Sequence, residues 1–390
     1  LCRPTIVDCD ELQKVPVCVD GRLAATKATG VASYAHGLRA ALAATGRAAM
    51  VLGDARGGVL DAANPLPQIV WRRLRAHLPL KVRLWREGEM LFAGDVFRLA
   101  HARFAATGKL LELHASGRPG IIHWTYPIPA RITGWINLYT VHDVIPLTDP
   151  ALSPIDATAL RQRLDAIAAI ADRIVTVSGH ARDAIIDALA VGADRVVAMG
   201  AAASDLEHQL QPLPAPLVAG RYFLFCGLAE ARKNLPRLVA AWRASGVAER
   251  LVLVGPSFAG LPIPADVIVL PYQPRAMLVT LIRQARALLM PSLAEGFGLP
   301  VIEAMALGTP VLASDRGALA EVAGDSALLV DPLHIDAIAG GLRALSRDQH
   351  LRRSLSDLGA RNAARFTPAA FGARVRALHR EFAGDSRLAL

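Results

Sequence analysis

The sequence predicts an α/β protein built as two doubly wound parallel sheets, and three features point there. Short apolar runs of strand length alternate with longer helical periods, the pattern of strands covered on both faces by helices. Pro212, Pro214 and Pro216 in QPLPAPLVAG interrupt that alternation and mark a stiff linker. A length of 390 residues suits two units, each able to bury its own core.

In chain order, Val15 to Asp20 is the first strand, and GRLAATKATGVASYAHGLRAAL follows as a loop and an amphipathic helix starting near Gly30. Thr29-Gly30 is a place where backbone amides can meet a phosphate or a sugar, or simply a turn. A strand from Ala49 to Gly53, a basic segment and a helical stretch from Glu89 to about Ala115 come next, then strands at Ile121 to Tyr126 and Ile136 to Val141. The last of these runs into His142-Asp143. Ligands of open α/β sheets gather at the carboxyl ends of strands, so His142 is a candidate ligand group; the alternative is a structural donor to a backbone carbonyl. A helix from Pro154 to about Ala171, a strand ending at Ser178, a helix to Ala190 and a strand from Arg195 to Met199 complete the first half.

The second half opens with a strand, Tyr222 to Cys226, and the loop GLAEARKN. Arg232 and Lys233 at that strand end either neutralise a diphosphate, Arg by forked bonds and Lys as a point charge, or form a solvated basic loop. Strands follow at Leu251 to Val254, Val267 to Leu270 and Ala287 to Met290, then the stretch PSLAEGFGLPVIEAMALG. In it Glu295 precedes Gly296-Phe297-Gly298, whose glycines permit positive φ and let N–H groups turn toward a ligand as a helix begins near Leu299-Pro300. Such a helix start favours an anion. The helix is apolar except for Glu303, and a buried carboxylate needs partners, for which sugar hydroxyls would serve; escape to solvent is the alternative. Ser326 to Asp331 is the last strand, and the chain from His334 to about Ala383 reads as helical.

Composition excludes several classes. Apolar residues make up 53%, yet no uninterrupted apolar stretch reaches the roughly 18 residues that span a bilayer. LCRPTIVDCDELQ lacks a basic region followed by an apolar one, so no secretory signal is read and a cytoplasmic location is expected. Cys2, Cys9, Cys18 and Cys226 are read as reduced, the last two as small core residues. Asp8-Cys9-Asp10 has the form of a metal motif but precedes the first strand; it is read as coincidence, and no metal is assigned.

The net charge of +9 is concentrated between Trp71 and Arg86, where Arg72, Arg73, Arg75, Lys81, Arg83 and Arg86 interleave with leucine, Trp71 and Trp85 and no acid occurs. This is the composition of an interfacial segment on an anionic membrane surface. A solvated helix face is the alternative, with Pro79 interrupting any helix, and nucleic acid ranks last, so no nucleic-acid partner is expected.

Glu295 and Glu303, eight positions apart, with EGFGLPVIEAM around them and GTPVLASDRGALAEVAGDSALLVDP from Gly308 to Pro332, resemble the signature of retaining glycosyltransferases of family four. The resemblance covers nearly the whole chain and is strongest from Tyr222 to Pro332. It implies the GT-B fold, two Rossmann-like domains facing across a cleft. An acceptor-binding domain would span 1–212 and a nucleotide-sugar-binding domain 213–370, with a final helix in 371–390 crossing back to the first. Similar enzymes imply His142 facing the donor sugar, Glu295 bonding it and Glu303 on the ribose. Arg232 and Lys233, with amides of Phe297, Gly298 and Leu299, would hold the diphosphate, Gly30 would lie over it, and Tyr272 falls near the base. Many members carry a second glycine where this chain has Thr29, and Asn-Gly-Val where it has Met199-Gly200-Ala201.

The activity so implied is retaining transfer of a hexose, with GDP-mannose foremost as donor and a UDP-hexose as alternative, and no metal or other cofactor. The acceptor would be a lipid-linked saccharide in surface polysaccharide or glycolipid assembly, at the cytoplasmic face of the inner membrane. Rivals are an epimerase or phosphorylase on the same fold, although no lysine is singled out for pyridoxal phosphate. A basic membrane-surface or nucleic-acid-binding protein without catalysis is another; it would tolerate loss of both glutamates. Neither a Walker P-loop nor a G-x-G-x-x-G occurs, which counts against ATPase and dehydrogenase readings.

Overall fold

The computed structural model describes residues 14–22, 30–54, 66–78, 80–256, 258 and 262–388. The readings at Cys2, Asp8, Cys9, Asp10, Thr29 and Pro79 lie outside the described residues.

The first unit is a ten-stranded sheet. Its strands are β1 (Val17–Asp20), β2 (Met50–Gly53), β3 (Lys81–Glu87), β4 (Met90–Phe92), β5 (Leu111–Ala115), β6 (Ile121–Trp124), β7 (Ala130–Ile132), β8 (Ile136–Thr140), β9 (Arg173–Thr176) and β10 (Val196–Ala198). Helices α1 (Gly30–Ala44), α2 (Leu66–His77), α3 (Val96–Thr107), α4 (Ile145–Thr148), α5 (Ala157–Ala168) and α6 (Gly179–Leu189) connect them. The order is β10-β9-β8-β6-β1-β2-β4-β3-β5-β7, with β3 and β4 antiparallel and β1 parallel to both neighbours.

One sequence expectation is corrected here. The stretch from Glu89 to Ala115 is not one helix but β4, α3 and β5. Gly88 at φ 57° turns the chain back so that β4 pairs with β3, and Asp95 and Gly108, both left-handed, bound α3 at either end.

The second unit is a six-stranded parallel sheet of β11 (Tyr222–Cys226), β12 (Arg250–Val254), β13 (Ile268–Leu270), β14 (Ala287–Met290), β15 (Val311–Ser314) and β16 (Leu328–Val330). Its helices are α7 (Leu235–Ser245), α8 (Arg275–Gln284), α9 (Leu299–Ala306), α10 (Gly317–Ala323), α11 (Ile335–Arg347) and α12 (Gln349–Ala363), and a last helix, α13 (Pro368–Arg380), comes after them. Strands β11 and β14 are buried at every position, which is why they read as unbroken apolar runs.

Strand order β13-β12-β11-β14-β15-β16 reverses direction between β11 and β14. In such sheets the crevice outside the carboxyl ends at the reversal is the ligand position. The loops at that crevice are the ones carrying Arg232-Lys233 and Glu295. In the first sheet the corresponding reversal lies between β1 and β6.

Helix α13 follows the second unit in sequence yet packs on α1 of the first. Phe371, Val375 and Leu378 share one apolar cluster with Tyr34, Leu38 and Leu42. The approach is close: a Cβ on Gly372 would come within 2.6 Å of the Ala41 carbonyl oxygen. Phe297, Ile302 and Val322 enter the same cluster, so apolar burial joins the two units.

Candidate active site between the two units

A cavity of about 440 Å³ opens between the sheets. The first unit contributes Arg22, Gly30, Tyr34, Tyr126, His142 and Asp143 to its lining, and the second Glu230, Arg232, Lys233, Glu295 and the run from Gly296 to Pro300. Its size falls in the range of small-ligand sites.

Each wall is set by local chemistry. After β11 the chain makes a short turn, Ala231–Lys233, and Asn234 adopts left-handed φ 60° before Leu235 starts α7. The Asn234 amide holds that turn by donating to the carbonyls of Pro291 (3.0 Å) and Pro332 (2.7 Å). After β14, Gly298 takes φ 104°, and a Cβ there would meet Leu319 at 2.5 Å. The Leu319 methyl is the end of a side chain and can shift, so it is the left-handed dihedral that requires glycine here.

Glu295 is the hub of the second wall. Lys233 Nζ donates to its Oε1 at 2.5 Å, and Arg232 Nη1 to its Oε2 at 2.5 Å. Burial pushes this carboxyl up, but Lys233 and Arg232 together outweigh burial and hold it below its usual value. Arg232 also reaches Glu230, Nη2 to Oε2 at 2.5 Å. Burial works against its charge, but Glu295, Glu230 and Asp143 of the opposing unit raise its proton affinity. The Asp143 carboxyl is itself pushed up by burial against the pull of Arg232.

On the first wall, His142 Nε2 lies 2.9 Å from the Thr125 carbonyl oxygen, and the ring packs edge-on to Tyr34 at 4.9 Å between centroids. A carbonyl only accepts, so Nε2 carries the proton and Nδ1 keeps its lone pair. Burial lowers the pKa of His142 to about 4, so the ring is neutral at ordinary pH.

The two walls touch. Ser178 Oγ donates to the Gly296 carbonyl at 2.8 Å. At the start of α6, the N–H groups of Gly179 and His180 donate to the two oxygens of Glu321 on α10, each at 2.8 Å. A carboxylate on the amides of a helix N-terminus is a favourable pairing, here made across the interface.

The structure therefore brings His142, Glu295, Arg232, Lys233, Gly30, Phe297, Gly298 and Leu299 to one cavity. Glu303 is not among the lining residues: it is buried on α9, and its Oε1 lies 2.8 Å from Arg275 Nη2. Arg275 also donates to the carbonyls of Ser204 (3.0 Å) and Asp205 (3.1 Å), tying the linker to the second unit. Sequence reasoning missed Glu230, Asp143, Arg275 and Glu321. Adjacency to Arg232 and His142 could have flagged the first two; nothing local marks the others.

The basic segment is two elements, not one. Leu66, Val70, Trp71 and Leu74 of α2 are exposed, Trp71 at 62%, and so are Arg73 and, on β3, Lys81, Arg83, Trp85 and Arg86. Arg75 is half-buried. Arg72 is a correction: it faces inward and pairs with Asp95, Nη2 to Oδ1 at 3.1 Å, because it lies on the helix face turned to α3. No helix among the described residues is long and apolar enough to cross a membrane.

Two parallel α/β units facing across a cleft, with strand-end loops of both lining it, define a GT-B protein. Residues 218–361 match the family Glycosyl transferases group 1, and this part of the chain is a glycosyltransferase group 1 domain. The chain is 31% identical over 256 residues to O-antigen chain mannosyltransferase B of Escherichia coli, covering 58% of this chain and 66% of that protein. It is 47% identical over 90 residues to MMP alpha-(1->4)-mannosyltransferase of Mycolicibacterium hassiacum, 22% of each. It thus spans less than two thirds of the length of these relatives. A solved structure described as trehalose-6-phosphate from E. coli bound with UDP-2-fluoro glucose superimposes with a TM-score of 0.63 at 14% identity, covering 94% of this chain and 99% of that one.

Proposed function

We propose that this chain transfers a hexosyl group from a nucleoside diphosphate sugar to an acceptor hydroxyl, with retention at the anomeric carbon. The observation that carries this is the Lys233–Glu295–Arg232 cluster on one cavity wall, opposite a neutral His142 on the other. Departure of a diphosphate needs positive charge where the negative charge develops. Arg232, Lys233 and the amides around Phe297, Gly298 and Leu299 supply it without a metal, and Gly30 lies over the same diphosphate. Glu295 then turns to the donor sugar, His142 Nδ1 accepts from a sugar hydroxyl, and Glu303, held by Arg275, serves the ribose. The site is assembled from both units, so closure excludes the water that would hydrolyse the donor.

Mannose from GDP-mannose is the favoured donor, supported by the relatives named mannosyltransferases; a UDP-hexose is the alternative, supported by the UDP-sugar in the superimposed structure. The 1–212 part takes the acceptor and the 213–370 part the donor. The acceptor is a lipid-linked saccharide of surface polysaccharide or glycolipid synthesis, reached from the cytoplasmic face of the membrane through the apolar and basic surface of α2 and β3. Thermal-shift titration with a panel of nucleotides and nucleotide sugars tests this. The expected result is a rise in melting temperature with GDP or UDP and the matching sugar, lost on changing Arg232 and Lys233. No shift with any nucleotide would overturn it.

A further inference from the structure

Cationic charge that the donor roles leave unused stands where Arg22 and Tyr126 of the cavity lining meet Arg163 behind them. Arg22, just past β1, and Arg163, on α5, both lie over the ring of Tyr126, with guanidinium carbons 5.3 and 5.8 Å from its centroid. Their separation is therefore no more than those two distances laid end to end. Arg22 Nη1 lies 2.7 Å from Nε2 of His101 on α3. Arginine only donates, so this imidazole accepts and keeps its proton on Nδ1. Burial first, and then the charges of Arg22 and Arg163, lower its pKa to about 4.

No carboxylate ion-pairs with either guanidinium among the described residues, and Arg163 Nε is buried without a hydrogen-bond partner. The neighbouring acid, Asp20, is engaged elsewhere: its oxygens accept from the backbone N–H groups of Thr125 and of Arg22 itself. Partly buried cations left without a counter-charge are costly, and the cost is recovered when an anion arrives. The position is equally suggestive. Arg22 follows β1 and Tyr126 follows β6, the two strands between which the first sheet reverses direction, and both residues line the cavity that holds His142.

We propose that Arg22 and Arg163, both against Tyr126, form an anion subsite for a phosphate ester carried by the acceptor, a monoester or a diphosphate ester. The planar forks of two arginines match phosphate oxygens, and the sugar attached to that phosphate then extends along the cavity toward His142. The word acceptor rests on the transferase reading; the anion subsite rests on the contacts themselves.

The test is calorimetric titration of inorganic pyrophosphate into protein already saturated with GDP or UDP, so that Arg232 and Lys233 are occupied. One equivalent is expected to bind, with affinity falling about tenfold or more in the Arg22→Gln, Arg163→Gln double variant and largely kept in Arg163→Lys, which controls for folding. Absence of binding, or equal binding by the double variant, overturns the proposal. Competition then identifies the source. Displacement by farnesyl diphosphate supports a lipid-linked acceptor and displacement by a hexose 6-phosphate a soluble one, while displacement by neither overturns the acceptor assignment. A protein that binds no nucleotide counts against the transferase reading, and the pyrophosphate titration is then still read through its dependence on Arg163.

Discussion

Lys233 Nζ lies 2.5 Å from Oε1 of Glu295, deep in a site where both side chains are nearly closed to solvent. Arg232 takes the other oxygen, so the carboxylate occupies the two cations expected to receive a diphosphate. On the proposed function, donor binding competes with Glu295 for these cations, and the freed carboxylate is then available to the sugar.

This competition makes a two-sided prediction for Glu295→Gln. Transfer should fall roughly a hundredfold or more, as for loss of a preorganised electrostatic partner. Nucleoside diphosphate binding should hold or tighten, since an amide competes less for Arg232 and Lys233. Initial rates and calorimetry check the two halves; wild-type transfer by the variant would sink the role of Glu295.

Gly296 sits where the units meet, and a Cβ on it would come within 2.6 Å of the His142 carbonyl oxygen. That oxygen belongs to backbone and cannot swing aside. Gly296→Ala should hold the walls apart and lower kcat/KM about tenfold or more, the cost of sub-ångström misplacement. The melting temperature should fall little, because each sheet keeps its own core. Unchanged kinetics would mean that the contact is not required in the reacting form.

The pH dependence of activity follows from His142. With its pKa lowered to about 4, its charge state does not change near neutrality. Glu295, held below its usual value, stays ionised over the same range. Neither group should therefore add an inflection near neutrality, and one near the ordinary histidine value of about 6.5 that disappears in His142→Asn would contradict the assignment.

Stability should nonetheless be acid-sensitive, through a pair that is not part of the cavity lining. His123 Nε2 on β6 lies 2.8 Å from His379 Nε2 on α13, and Arg47 Nη1 lies 3.1 Å from His379 Nδ1. Since Arg47 donates, His379 carries its proton on Nε2 and gives it to His123, which is left with a buried, unpartnered Nδ1. Burial lowers both rings, His123 to about 3, with the neighbouring charges adding to it. A pKa lower in the folded than in the unfolded state means that the unfolded chain binds more protons on acidification. Stability is therefore complete above about pH 6.5 and declines as pH falls toward 3. His379→Gln should flatten part of that decline in denaturant melts between these limits.

The α2–β3 surface predicts vesicle binding. Trp71→Ser with Arg73→Glu and Arg83→Glu should weaken sedimentation with anionic vesicles, each basic residue contributing about 1 kcal/mol. Arg72 is left unchanged because it pairs with Asp95 inside the unit. Equal sedimentation of variant and parent would remove the membrane reading.

Much of the fold was legible in the sequence because it is written locally. The apolar runs of β11 and β14, the glycine turn at 296–298 and the cations at a strand end each depend on a few neighbouring residues, so periodicity and turn chemistry reveal them. The break at Gly88 and Gly108 is local too, but apolar and helix-favouring residues between them hid it.

What the sequence by itself determined was which segments are strands, helices and tight turns, and which residue types stand at the strand ends. Tertiary structure alone decided the partners: Glu295 with Lys233, Glu303 with Arg275, Arg72 with Asp95, and Glu321 with the amides of Gly179 and His180. Glu321 finds its partners 142 and 141 positions away in the chain. Charges and hydrogen-bonding groups pair through space, and only the strand order and the packing of one unit on the other decide which of them come within reach.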